Sequence, residues 1–176
     1  MNSLKDYNNI IENYYMNQEI NFLREIELNL LSHLILKNED VDKIIEINNS
    51  NDNSTITGTC NQRGKSTITL PIPTCNNQLN SIIQDTLVYK DDYLTDEKII
   101  IISEKNNSFI EEYFKFCIQE EINCIYAISG QLGKDIMYKD NEIKKIVSKI
   151  TNNNYKSAFT YDKATNTFAK IYILRK

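Results

Sequence analysis

Apolar positions along the chain fall into three rhythms, and each predicts a different element. From Gln18 to Lys37, the residues Phe22, Leu23, Ile26, Leu30, Leu31, Leu34 and Ile35 recur at three- and four-residue steps, with Glu25, Asn29 and Ser32 between them. That spacing gathers the apolar set on one face of a helix. A shorter helix is expected over residues 3–16, capped by Ser3 and carrying Ile10, Ile11, Tyr14 and Tyr15. Another is expected over Val41 to Ile47, between Asn38, Asp40 and the polar run Asn48-Asn49-Ser50.

The second rhythm is continuous. Lys98 to Ser103 holds Ile99-Ile100-Ile101-Ile102 without alternation, the pattern of a strand covered on both faces. Ser108 and Glu111 then form a capping box, Phe109, Ile110, Tyr113, Phe114 and Cys117 share a helical face, and Asn123 to Ser129 makes a second apolar strand. A parallel strand–helix–strand unit over 98–129 follows, with the right-handed crossover nearly universal for such units.

Alternation is the third rhythm. Ser54 to Cys60 and Ser66 to Leu70 alternate around Asn61-Gln62-Arg63-Gly64, which predicts a hairpin. Tyr155 to Tyr161 and Thr167 to Leu174 flank Asp162-Lys163-Ala164-Thr165-Asn166 as a second one. Pro71 and Pro73 end the run before them. Between these features, Asn76 to Asp85 reads as a short helix and Thr86 to Tyr89 as a short strand. Asp140 reads as the cap of a helix through Ile150, with Ile143, Ile146, Val147 and Ile150 inside.

The fold class expected is therefore α/β or α+β, an N-terminal helical segment packed on a mixed β-sheet that contains the 98–129 crossover and a C-terminal β-hairpin. The polar stretch Asn48 to Ser54 is the sharpest break in composition, dividing an N-terminal helical segment (1–50) from an α/β body (51–176). At 176 residues, both fit one compact unit.

Hydrophobic residues at 41% and charged residues at 25% are ordinary globular usage and disfavour disorder. Asn, Ile, Lys and Tyr are abundant, Trp is absent, and Arg occurs only at Arg24, Arg63 and Arg175, a bias that follows AT-rich codons. Asparagine runs such as Asn152-Asn153-Asn154 are accordingly taken as loops. A net charge of -4 gives no bulk attraction to phosphate, so duplex DNA is not an expected partner. Cys60, Cys75, Cys117 and Cys124 match no zinc spacing or disulfide framework; Cys117 and Cys124 are expected as buried thiols. The first residues lack a signal-peptide pattern, and no segment offers the roughly 20 apolar residues of a membrane span. A cytoplasmic location with no membrane partner is expected.

Candidate chemistry is sparse, and no metal site or cofactor is expected. Gly58 to Thr67 looks like a phosphate-binding loop, but five residues instead of four separate Gly58 from Gly64, and Ser66 opens a strand-like run where the motif needs a helix. The better-placed ligand-binding candidates are Ser129, Gly130, Gly133 and Lys134, at the carboxyl end of a buried strand, where glycines admit an anion to backbone amides and Lys134 adds charge. Lys144, Lys145 and Lys149, with Tyr155 and Lys156, form a candidate RNA-binding patch in which tyrosine stacks on bases and lysine holds phosphate. His33, the only histidine, reads as a helix-surface residue, and the acidic pairs Asp91-Asp92, Asp96-Glu97, Glu111-Glu112 and Glu120-Glu121 are neighbours that diverge. Tyr7, Tyr14 and Tyr15 cluster near the start, a composition suited to an interface.

The expected function is a non-enzymatic intracellular binding protein, a small subunit or regulator in contact with a larger protein or ribonucleoprotein assembly, with a protein partner or a second copy bound. The alternatives are an enzyme or sensor for a phosphate-bearing ligand at the 129–135 loop, and RNA binding through the C-terminal lysines and tyrosines.

Overall fold

In the computed structural model, residues 4–49, 56–62, 64–92 and 98–175 are described. The elements run α1 (Leu4–Asn38), β1 (Lys43–Ile47), α2 (Ile56–Gln62), β2 (Ser66–Leu70), α3 (Asn76–Asp92), β3 (Ile99–Ser103), α4 (Ser108–Gln119), β4 (Asn123–Gln131), α5 (Lys134–Thr151), β5 (Tyr155–Asp162) and β6 (Thr167–Leu174). One six-stranded sheet has the order β2-β1-β3-β4-β6-β5. The β2, β1, β3 and β4 strands are mutually parallel; β6 runs antiparallel to β4 and β5 antiparallel to β6. The fold is α/β, with the 98–129 strand–helix–strand unit and the C-terminal hairpin both present.

The isoleucine runs sit at the centre because both sheet faces are covered. Ile45, Ile47, Ile101, Cys124, Tyr126 and Ile128 face one layer of helices, where Ile82 of α3, Ile110, Tyr113, Phe114 and Cys117 of α4, and Ile136, Ile143 and Val147 of α5 pack. Ile44, Ile100, Ile102, Ile125, Ala127, Ala169, Ile171 and Ile173 face the other, covered by Leu28, Leu31, Leu34 and Ile35 of α1 and Ile56 and Cys60 of α2. Each buried Ile, Leu, Val or Phe among them contributes roughly 1.5–3 kcal/mol. Gly130 lies under Ile136 of α5, whose Cδ1 would stand 3.1 Å from a Cβ at that position.

Four local expectations are corrected. Residues 43–47 form β1, a central strand, where a helix was expected; so the sheet draws on residues before the polar break. Val41, Ile44 and Ile45 fit helical spacing, but the segment is short and β-branched, and cover on both faces wins over local periodicity. The 54–70 hairpin does not form: α2 puts Ile56 and Cys60 on one face against α1, and β2 pairs in parallel with β1. Residues 86–89 continue α3, and the two N-terminal helices are one, α1, in which Ser32 is buried and Phe22 exposed.

Charged residues on β1 find partners within the fold. Glu46 accepts the Ile56 amide at 3.1 Å, placing a carboxylate at the start of α2, where unpaired amides favour negative charge. Lys43 lies 5.1 Å from the Tyr89 ring centroid. The asparagine run after α5 is more than a loop: Asn152 (φ 52°) and Asn153 (φ 65°) adopt the left-handed conformation that closes the helix, a geometry Asn tolerates better than most residues.

Tyr126 is buried with its hydroxyl unpartnered among the described residues, and burial pushes its phenol well above the usual value. Tyr126→Phe removes a polar atom that makes no bond, so denaturant unfolding is expected to show unchanged stability or a gain of up to about 1 kcal/mol. Because the folded phenol is raised, the stability it carries is complete below the unfolded value near 10 and falls as pH climbs past it. The variant should therefore lose less stability than the wild type between about pH 10 and 11, measured by unfolding titrations at each pH.

Candidate functional site

Parallel strands direct ligand sites to the space beyond their carboxyl ends, and there the structure has a cavity of about 530 Å³. It is lined by Arg24 of α1, Glu104, Lys105 and Asn106 after β3, Ser129 of β4, and Tyr138, Lys139, Glu142 and Ile143 of α5. On its α1 side lies a closed polar cluster. Arg24 engages Glu104 through both terminal nitrogens, with Nη1 at 3.1 Å from Oε1, and reaches Glu27 at 3.4 Å. The Ser129 hydroxyl donates to Glu27 at 2.6 Å and lies 3.4 Å from Arg24 Nη1. Two carboxylates thus share one guanidinium, which can hold such a pair in fixed planar geometry.

Of the four residues singled out for a ligand, Ser129 lines this cavity and the other three do not. Gly130 packs on Ile136; Gly133 precedes α5; Lys134 is its first residue and is exposed. The loop is also tied down: the β4–β6 ladder continues to Gln131 opposite Thr167, the Leu132 amide donates to the Asn166 carbonyl at 2.9 Å, and Asn166 Nδ2 returns to the Leu132 carbonyl at 3.2 Å.

The lysine patch is divided. Lys144 and Lys145 share a shallow concavity with Asn141 and Ser148, Lys149 is exposed further along α5, and Lys156 is exposed on β5. Lys145 pairs with Glu142 at 3.2 Å. Tyr155 is half-buried and meets Tyr172 edge-to-face at 5.7 Å, so its ring serves the core. Gly58 lies within α2, and Gly64-Lys65 leads into the amino end of β2, away from the carboxyl edge; Arg63 lies outside the described residues. His33 is exposed on α1.

Asp140, expected as a helix cap, lies inside α5, buried and holding two groups of β6. The Tyr172 hydroxyl donates to its Oδ1 and Lys170 Nζ to its Oδ2 at 3.1 Å, while Lys170 stands 4.6 Å from the Tyr172 ring centroid. Burial, then the hydrogen bond to Asp140, hold the Tyr172 phenol well above its usual value. The signal was present: Ile136, Asp140, Ile143 and Val147 share one buried stripe, so a carboxylate occupies an apolar position. Beside it, Leu132, Met137, Phe159, Tyr161 and Phe168 rim an apolar groove of about 460 Å³.

Among the described residues, the longest exposed run is the start of α1. Residues 6–22 are exposed throughout, before Leu23 begins the packed half. Tyr7, Ile10, Ile11, Tyr14, Tyr15 and Phe22, at 38–65% exposure, fall within a sector of about 140° on the helix; Met16 and Ile20 lie on the other side. Among the described residues no helix is long and apolar enough to cross a membrane, and no cluster of His, Cys, Asp and Glu is arranged to hold a metal ion.

No protein-family model matches the chain, and a search of curated proteins finds no relative of it.

Removing the shared guanidinium should expose the cost of the carboxylate pair. Arg24→Ala is expected to lower stability by about 2–4 kcal/mol, and adding Glu104→Gln should restore about half of that by removing one orphaned charge. With Glu104→Gln alone measured as well by chemical denaturation, a loss in the double variant equal to the sum of the two single losses would show the two residues to be uncoupled.

Proposed function

We propose that this protein is a cytoplasmic, non-enzymatic binding subunit that presents the exposed half of α1 to a protein partner. The observation that carries the reading is the apolar stripe of Tyr7, Ile10, Ile11, Tyr14, Tyr15 and Phe22 on a helix that extends past the sheet it covers. Contiguous apolar surface of this size is uncommon on a monomer and marks an interaction site. Tyrosine suits such a face, since its ring buries area while its hydroxyl keeps a polar handle. The free state of all four cysteines accords with a reducing compartment.

Ligand and RNA readings rank below it on electrostatic grounds. Glu27 and Glu104 flank the Ser129 hydroxyl and oppose a phosphate there. Lysines at 144, 145 and 149 act within a chain of net charge -4.

The test replaces two stripe residues together, Ile11→Asp with Tyr14→Asp. Both side chains are exposed, so the melting temperature is expected to stay within about 3 °C of the wild type. Chemical cross-linking in host extract should join the wild-type arm to a defined protein band, and the double variant should lose it. A band of equal strength with both proteins would overturn the proposal.

A further inference from the structure

We infer that the partner of the α1 stripe is a second copy of the same chain, the two arms lying antiparallel; this rests on the reading of that stripe as a docking face. The stripe is self-complementary. Tyr7, Ile11, Tyr14, Gln18 and Phe22 follow three- and four-residue steps, the spacing by which one helix seats on another of like pattern. With a two-fold axis between Tyr14 and Tyr15, Tyr7 of each arm falls opposite Phe22 of the other, Ile11 opposite Gln18, and Tyr14 opposite Tyr15. A symmetric interface requires such reciprocity, residue i meeting j while j meets i. Gln18 already donates to the Tyr14 hydroxyl at 2.7 Å, so this polar pair in the seam is satisfied within one helix.

Area and charge point the same way. At about 200 Å² per large side chain, the exposed fractions of the six stripe residues amount to on the order of 700 Å². Complete cover of that surface would approach the roughly 800 Å² each partner contributes to a stable interface. Asp6, Glu12 and Glu19 lie outside the apolar sector, and Glu25, which lies within it, falls opposite the apolar residue 4, so two copies in this register approach without facing like charges across the seam.

With this axis, the first described residue of one arm lies opposite Glu25 of the other, where α1 begins to pack on the sheet. The overlap therefore takes in the exposed positions 6–22 of each arm. A parallel pairing would instead bring both bodies to the same end of the coil.

Sedimentation at micromolar concentration is expected to give twice the monomer mass, and the Ile11→Asp, Tyr14→Asp double variant the monomer mass. In a Cys75→Ser background, which removes the exposed native thiol, mild oxidation of mixed Tyr7→Cys and Phe22→Cys chains should yield the mixed disulfide dimer. Tyr7→Cys alone should remain unlinked. Ready self-linking of Tyr7→Cys would overturn the antiparallel arrangement. A wild-type monomer at roughly 100 µM would overturn the second copy altogether. In that event, an arm-dependent cross-link to a different protein would keep the docking reading of α1, and loss of both would remove that reading too.

Discussion

The sheet has two faces to cover and an unequal supply of helices to cover them. After β1 the chain sends α3, α4 and α5 to one face, while α2 reaches only the β1–β2 end of the other. The apolar residues of β4 and β6 on that second face, Ile125, Ala127, Ala169, Ile171 and Ile173, would be bare without α1. Covering them is what makes the second half of α1 structural. Leu28, Leu31, Leu34 and Ile35 are buried for this reason, and the helix must cross the sheet whatever its first half does.

Two polar arrangements mark where that packing is held in register. Arg24, at the point where α1 leaves the sheet, joins Glu104 and Ser129 from the ends of β3 and β4. Asp140 does the same between α5 and β6, receiving Tyr172 and Lys170. Each is a buried or half-buried charge satisfied by elements distant in sequence. Such groups destabilise any packing that separates them, so they specify one alignment of helix on sheet more than they add net stability.

The chain announces its long-range architecture better than its local detail. Four consecutive isoleucines and the apolar strand at 123–129 permit little but a doubly covered parallel pair, and Asp162 to Asn166 has the polar residues of a tight connection. The 43–47 segment misleads because Lys43 and Glu46 imitate the polar side of a helix; the Ile56 amide and the Tyr89 ring, supplied by distant residues, help to hold these charges on a central strand. The cavity was half legible. Ser129 could be placed from its position after a buried strand, whereas Glu27, Arg24 and Glu104 are separated along the sequence and carry no motif. Asp140 was visible as a residue and misread as a cap, since its partners lie some thirty residues further on.

Neither glycine nor proline occurs between residues 4 and 38, so α1 has no built-in hinge between its tip and the sheet. It behaves as a lever whose fulcrum is the Arg24 cluster. Residues 4–22 extend roughly 28 Å beyond that point at 1.5 Å per residue. A tilt of about 5° where the helix crosses the strands would sweep the tip through roughly 2 Å, about the rise of a single residue and a half. A small repacking of Leu28 or Leu31 would thus be magnified at Tyr7, far from where it was made.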